Sequence, residues 1–184
     1  MKNVNKIVKI IAKILEVSHW VAVGLMVAIA ICSAVAPQWL GLFMDTNALE
    51  SGAEFSVYGF EAALVNSAGE INKTTLLLFA IGSVIIYALV AMIFRNIYLI
   101  IKKSESETPF NKDNIRMLKE IGIFSIAIPV IGLIMSTIIR LAIGVDVAET
   151  SVNLNGFIMG IIVLCLTQFF VYGASLENDV DGLL

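Results

Sequence analysis

The chain has 184 residues, 59% of them hydrophobic and 15% charged, with a net charge of −3, whereas soluble domains are about 45–50% apolar and about 25% charged. That balance excludes an ordinary water-soluble fold, and one domain spanning 1–184 is expected at this length. A single His and two separated Cys supply neither a zinc site nor a disulfide framework, and no cofactor is implied.

The chain opens on Lys2, Lys6, Lys9 and Lys13, which share one helical face, with Ile7, Ile10, Ile11 and Ile14 largely on the other. This pattern predicts a surface-lying basic amphipathic helix touching anionic lipid headgroups, or a topology signal alone. The first uncharged run covers 17–36. It exceeds a signal-peptide core of about 7–15 residues. Pro37 follows its Ala34-Val35-Ala36 stretch, where a peptidase site fits poorly. The run is therefore expected to stay as a membrane anchor. Cys32 follows Ile31 and reads as a buried small hydrophobe rather than a lipoprotein cysteine.

A loop over 37–75 comes next, expected outside. It holds Asp45, Glu50, Glu54, Glu61 and Glu70, an acidic face that attracts cations or a basic peptide, or merely residues that translocate easily. Strand formers over 54–65, followed by the turn residues Asn66 to Gly69 and then Glu70-Ile71, predict a small β-ribbon lying on the helix ends. Trp39 and Phe43 suit an interfacial aromatic belt.

The second run, 76–94, lies between Lys73 and Arg95. Its Ser83 and Tyr87, with Ala80 and Ala91, form a mostly small stripe expected to pack closely on another helix. Residues 96–101 should prolong this helix, Ser104 to Glu107 should break it, and Thr108-Pro109-Phe110-Asn111 reads as a turn. Asn111 is then the N-cap of a helix with Asp113 in its first turn. The third run, 121–139, contains Pro129, expected to kink it and to free the carbonyl of Ser125. Arg140 should snorkel outward or pair with Asp146 or Glu149. The fourth run, 154–176, contains Gly156 and Gly160, a GxxxG pair expected to pack inside the bundle or to form a homo-oligomer face.

Runs of about 20 apolar residues cross the hydrocarbon core as helices, since only an internal hydrogen-bond ladder satisfies their peptide groups in lipid. The expected fold is an all-α membrane protein, a four-transmembrane-helix bundle with a small external β-ribbon. Ten of the twelve basic residues fall in the amino-terminal segment and the 95–120 connection. By the positive-inside rule that side, both termini included, is cytoplasmic.

Two segments bear a resemblance. Thr108-Pro109-Phe110-Asn111-Lys112-Asp113-Asn114-Ile115-Arg116-Met117-Leu118-Lys119-Glu120-Ile121-Gly122, together with the ending Phe170-Val171-Tyr172-Gly173-Ala174-Ser175-Leu176-Glu177-Asn178-Asp179-Val180-Asp181-Gly182-Leu183-Leu184, resembles the bacterial membrane family called domain of unknown function 2975, or YoaS-like. That family is similar in length and has four expected spans. Many of its members end in an apolar-Thr-Val tail, from which Gly182-Leu183-Leu184 departs. Its members are often encoded beside a small helix-turn-helix regulator. The resemblance implies a bacterial plasma-membrane protein that holds such a transcription regulator at its cytoplasmic face, and it offers no catalytic residues.

No ionisable residue stands mid-span, so an intramembrane enzyme lacks its nucleophile, base or metal site. His19, at the inner mouth of the first span, reads as a packing residue or a proton-linked switch. The candidate partner surface is Thr108, Pro109, Phe110, Arg116, Lys119, Glu177 and Asp179. Within it, Arg116 and Lys119 could instead pair with Glu177, Asp179 or Asp181 and close a cap with no partner. Direct contact with nucleic acid is not expected. The competing reading is a small transporter or immunity-type protein binding a peptide or lipophile at the acidic outer face.

Overall fold

The computed structural model describes residues 2–36, 39–40, 54–65, 71–106, 108–144, 147–148 and 154–181. Phe43, Asp45, Glu50, Asn66 to Glu70, Asp146, Glu149 and Gly182 to Leu184 lie outside the described residues.

The chain is mostly helical. Helices α1 (Lys2–Val35), α2 (Lys73–Lys103), α3 (Lys112–Ala142) and α4 (Leu154–Asp181) are joined by a hairpin of β1 (Glu54–Val57) and β2 (Phe60–Ala63) between α1 and α2. At 28 to 34 residues and 1.5 Å per residue, each helix is roughly 42–51 Å long, more than the ~30 Å of a hydrocarbon core. All four are long and apolar enough to cross a membrane.

Local signals explain the boundaries. The Asn111 side chain accepts from the Asn114 amide at 2.7 Å, the expected N-cap of α3. Asn72 does the same for α2, accepting from the amides of Thr74 and Thr75 at 3.1 and 3.2 Å. α2 stops at Lys103, where the serine and glutamate run begins. α3 ends at a turn in which Gly144, at φ 149°, donates to the Arg140 carbonyl.

Two compact units emerge: residues 1–19, 89–127 and 154–184, and residues 20–88 and 128–153. In the second unit the hairpin is antiparallel, with Val57 opposite Phe60 across a two-residue loop. Both loop residues have positive φ, Tyr58 at 52° and Gly59 at 85°, as a type I′ turn requires. The pleat sends Phe55, Val57, Phe60 and Ala62 to one face and Glu54, Ser56, Glu61 and Ala63 to the other.

The apolar face of the hairpin is inserted between helices rather than laid on their ends. Phe60 is fully buried, stacked on Phe79 with centroids 5.0 Å apart. A Cβ added at Gly82 would stand 2.7 Å from the Phe60 ring and one at Gly132 3.4 Å from its Cβ. Tyr58 meets Tyr87 edge-on at 6.2 Å. Gly82 lies roughly 14 Å, and Tyr87 roughly 21 Å, beyond the start of α2. Non-helical backbone at such depth is tolerated in a membrane where protein encloses it or water reaches it. Here two glycines open the space. The base of the hairpin is tied to the chain after α3, where the Ala63 amide donates to the Val147 carbonyl at 2.7 Å and Arg140 to that of Ala148 at 3.4 Å.

Candidate functional site

The first unit gathers the expected partner surface. Thr108 and Pro109 are exposed, while Phe110 is half-buried. Its ring fills the space beside Gly173, where a Cβ would come within 2.7 Å, and meets Phe170 edge-on at 5.5 Å. The Thr108 hydroxyl donates to the Glu177 carboxylate at 2.9 Å and accepts from the Phe110 amide at 3.3 Å. Beneath the turn, Asn114 is 1% exposed and its amide donates to the Ser104 hydroxyl and the Pro109 carbonyl. Its side-chain oxygen has no partner among the described residues. An exposed Thr-Pro turn is thus pinned from below by a ring and a buried amide.

Ion pairs fix the helices around it. Lys103 pairs with Asp113; the hydrogen bond first, and the ammonium charge second, hold that exposed carboxyl below the usual carboxylate range. The Asn96 amide, 4% exposed, donates to Glu120 at 2.9 Å, a charge-assisted bond worth about 1.5–3 kcal/mol. Lys9 reaches both oxygens of Glu105 at 2.7 and 2.8 Å, and Lys13 sits 5.3 Å from the Tyr98 ring centre while pairing with Glu16. Lys9 and Lys13 of α1 thus meet Glu105 and Tyr98, while Lys6 is exposed, and α1 continues unbroken into its apolar run.

Arg116 pairs within α3, its Nε 3.7 Å from Glu120, and Lys119 is exposed. Neither forms an ion pair with Glu177 or Asp179. Glu177 accepts from the Thr108 hydroxyl instead, and Phe110 meets Phe170 of the same helix. The basic residues Lys112, Arg116 and Lys119 stay at the surface. His19 Nδ1 lies 2.6 Å from the Leu15 carbonyl and its ring 5.4 Å from that of Phe94, a packed arrangement.

The helix-packing candidates divide. Gly160 is buried, and a Cβ there would lie 2.5 Å from Ile126 and 2.8 Å from the Gly122 carbonyl. Gly156 is half-buried. Gly160 thus belongs to the chain's own α3–α4 contact, with Gly122 opposite it. Ser83 is fully buried with no partner for its hydroxyl among the described residues, and the Tyr87 ring meets that of Tyr58 at the hairpin tip. Sequence reasoning also missed Gly82 and Gly173, which face the rings of Phe60 and Phe110, and Gly132, which faces the Cβ and backbone of Phe60. Their only signal was a residue without a side chain inside a helix.

Among the described residues no group of three or more His, Cys, Asp or Glu could hold a metal ion. Cys32 is half-buried and Cys165 exposed, both free. The chain matches no family model, no curated protein and no solved structure.

Proposed function

We propose that this chain is a non-enzymatic multi-pass membrane protein, with both termini in the cytoplasm of a bacterium, whose Thr108–Lys119 segment docks a soluble partner. The observation that supports this most is a contrast within one short stretch. Thr108, Pro109, Lys112, Arg116 and Lys119 are exposed, while Phe110 and Asn114 lock the same stretch from beneath. A surface with fixed shape and exposed basic residues is preorganised for encounter with an acidic partner. The Lys and Arg distribution supports the orientation. The resemblance of residues 108–122 and 170–184 to the YoaS-like proteins supports a small transcription regulator as the partner. Purification from native membranes in mild detergent, with mass spectrometry of what co-purifies, tests this. A stoichiometric soluble protein is expected, and its absence contradicts docking.

The second reading, a ligand held at the acidic outer face, draws on the polar face of the hairpin. There the Ser56 hydroxyl donates to Glu61 at 3.1 Å beside exposed Glu54. It predicts a peptide or lipophile bound with no soluble partner.

A further inference from the structure

In the first unit, Arg95 and Lys102 share one face of α2, two turns and roughly 10 Å apart along its axis. Both are exposed. Residues that meet other helices bound this face on each side. Phe94 rests against His19 of α1, with ring centres 5.4 Å apart, and the Asn96 amide donates to Glu120 of α3 at 2.9 Å. Each stands one residue, about 100° around the helix, from Arg95. Lys103 repeats the pattern beside Lys102 by pairing with Asp113 of α3. Arg95 and Lys102 therefore point outward between α1 and α3.

Two apolar runs set their level. The uncharged stretch 76–94 ends at Arg95, and 121–139 begins beside Glu120, which Asn96 holds at the same height. Arg95 is thus placed at the edge of the hydrocarbon core, and Lys102 beyond it in the headgroup layer, which adds roughly 5–8 Å to each side of that core. Val17, one turn beyond Lys13, and Ile123, one turn beyond Glu120, are exposed and offer acyl chains an apolar surface.

No carboxylate of the neighbouring elements is left to answer these two cations. Glu16 pairs with Lys13, Glu105 with Lys9, Asp113 with Lys103 and Glu120 with Arg116, which engages every described carboxylate of α1, α3 and the turn before α3. Neither Arg95 nor Lys102 forms an ion pair with a described residue. A guanidinium at the hydrocarbon edge is costly to leave without an anion, and the anion that a bilayer supplies at this level is the phosphodiester of a headgroup. We propose that Arg95 and Lys102 hold the phosphate of an anionic phospholipid, the guanidinium through paired N–H donors and the ammonium as a point charge above it. Exposed Lys6 and Lys112 border the same level and repel the ammonium of a zwitterionic headgroup, so charge selects an anionic lipid. The site belongs to α2 and is separate from the Thr108–Lys119 segment.

The test is native mass spectrometry of the full chain from detergent micelles holding equal amounts of phosphatidylglycerol and phosphatidylcholine. The parent should retain phosphatidylglycerol in preference. Arg95→Gln and Lys102→Gln should each lower that retention about fivefold, the effect of one basic residue at a membrane surface, whereas Lys73→Gln at the other end of α2 should leave it unchanged. Arg95→Lys should keep most of the preference. If Arg95→Gln fails to fold, Lys102→Gln, which lies outside the apolar run, reads the site alone. Equal retention of the two lipids by the parent, undiminished retention in Lys102→Gln, an equal loss in Lys73→Gln, or displacement of the lipid by millimolar inorganic phosphate, the mark of a plain anion site, overturns the proposal.

Discussion

Phe60 lies where a side chain on Gly82 would have to be: a Cβ there would stand 2.7 Å from the Phe60 Cε1 atom and 3.0 Å from the Met135 Cγ. The hairpin and the two helices are thus mutually fitted. Gly82→Ala should destabilise the chain by about 1–3 kcal/mol through overpacking, read as a lower unfolding temperature in detergent. Trimming the ring with Phe60→Leu in the same chain should recover part of the loss. Equal stability of Gly82→Ala and the parent would mean that the hairpin does not occupy this space.

The α3–α4 contact makes a sharper comparison because a second glycine serves as control. Gly160→Ala places a methyl 2.8 Å from the Gly122 carbonyl, which is backbone, whereas Gly24 has nothing within 4 Å of its added Cβ. Gly160→Ala should therefore destabilise. Gly24→Ala should be neutral or stabilising by up to about 1 kcal/mol, the helical preference of Ala over Gly. Thermal unfolding of the two variants side by side decides it, and the reverse ranking would remove Gly160 from the contact.

Buried Asn96 and half-buried Glu120 depend on each other. Asn96→Leu removes the donor and leaves a carboxylate beside an apolar group, with an expected cost of about 1.5–3 kcal/mol. Lys9→Ala breaks a more exposed pair and should cost no more than about 1 kcal/mol. Chemical denaturation of the two variants tests this ordering, and an equal or larger loss for Lys9→Ala would contradict it.

Phe110 is the anchor of the Thr-Pro turn. Phe110→Ala should leave the helices intact while loosening residues 104–111, so limited proteolysis should cut there faster than in the parent. Thr108→Val, which keeps the ring in place but loses the bond to Glu177, should loosen the turn less. Identical digestion of all three proteins would assign the ring no anchoring role.

Much of the architecture was legible because apolar runs and caps are local signals. The four long helices, the stop after Lys103 and the Asn111 cap follow from residue types at fixed spacing. The hairpin was legible as strand, but its turn was not. Tyr58-Gly59 lacks the Asn or Asp that usually marks such a turn, and Asn66 to Gly69 offered a stronger turn signal nearby. Its insertion between helices depends on Gly82 and Gly132, which are distant in sequence and meaningful only once Phe60 stands opposite. At the candidate site, the exposed character of Arg116 and Lys119 was readable. The pairing of Glu177 with Thr108 was not, because it joins residues 69 positions apart in the chain that only the tertiary fold brings together.

Orientation can be read with an impermeant thiol reagent on intact cells, after replacement of Cys32 and Cys165. Glu54→Cys, which is exposed on the hairpin, should label, while Lys112→Cys should label only after permeabilisation. Labelling of Lys112→Cys in sealed cells would invert the assignment.

The docking role itself is tested most directly by the membrane-bound fraction of the co-purifying soluble protein, compared between the parent chain and Arg116→Glu with Lys119→Glu. Docking at the basic face of α3 predicts release of that protein to the soluble fraction, with the membrane chain still folded, and no release on Glu54→Lys. Retention of the partner at parental levels in the double variant, or release by Glu54→Lys instead, would contradict it.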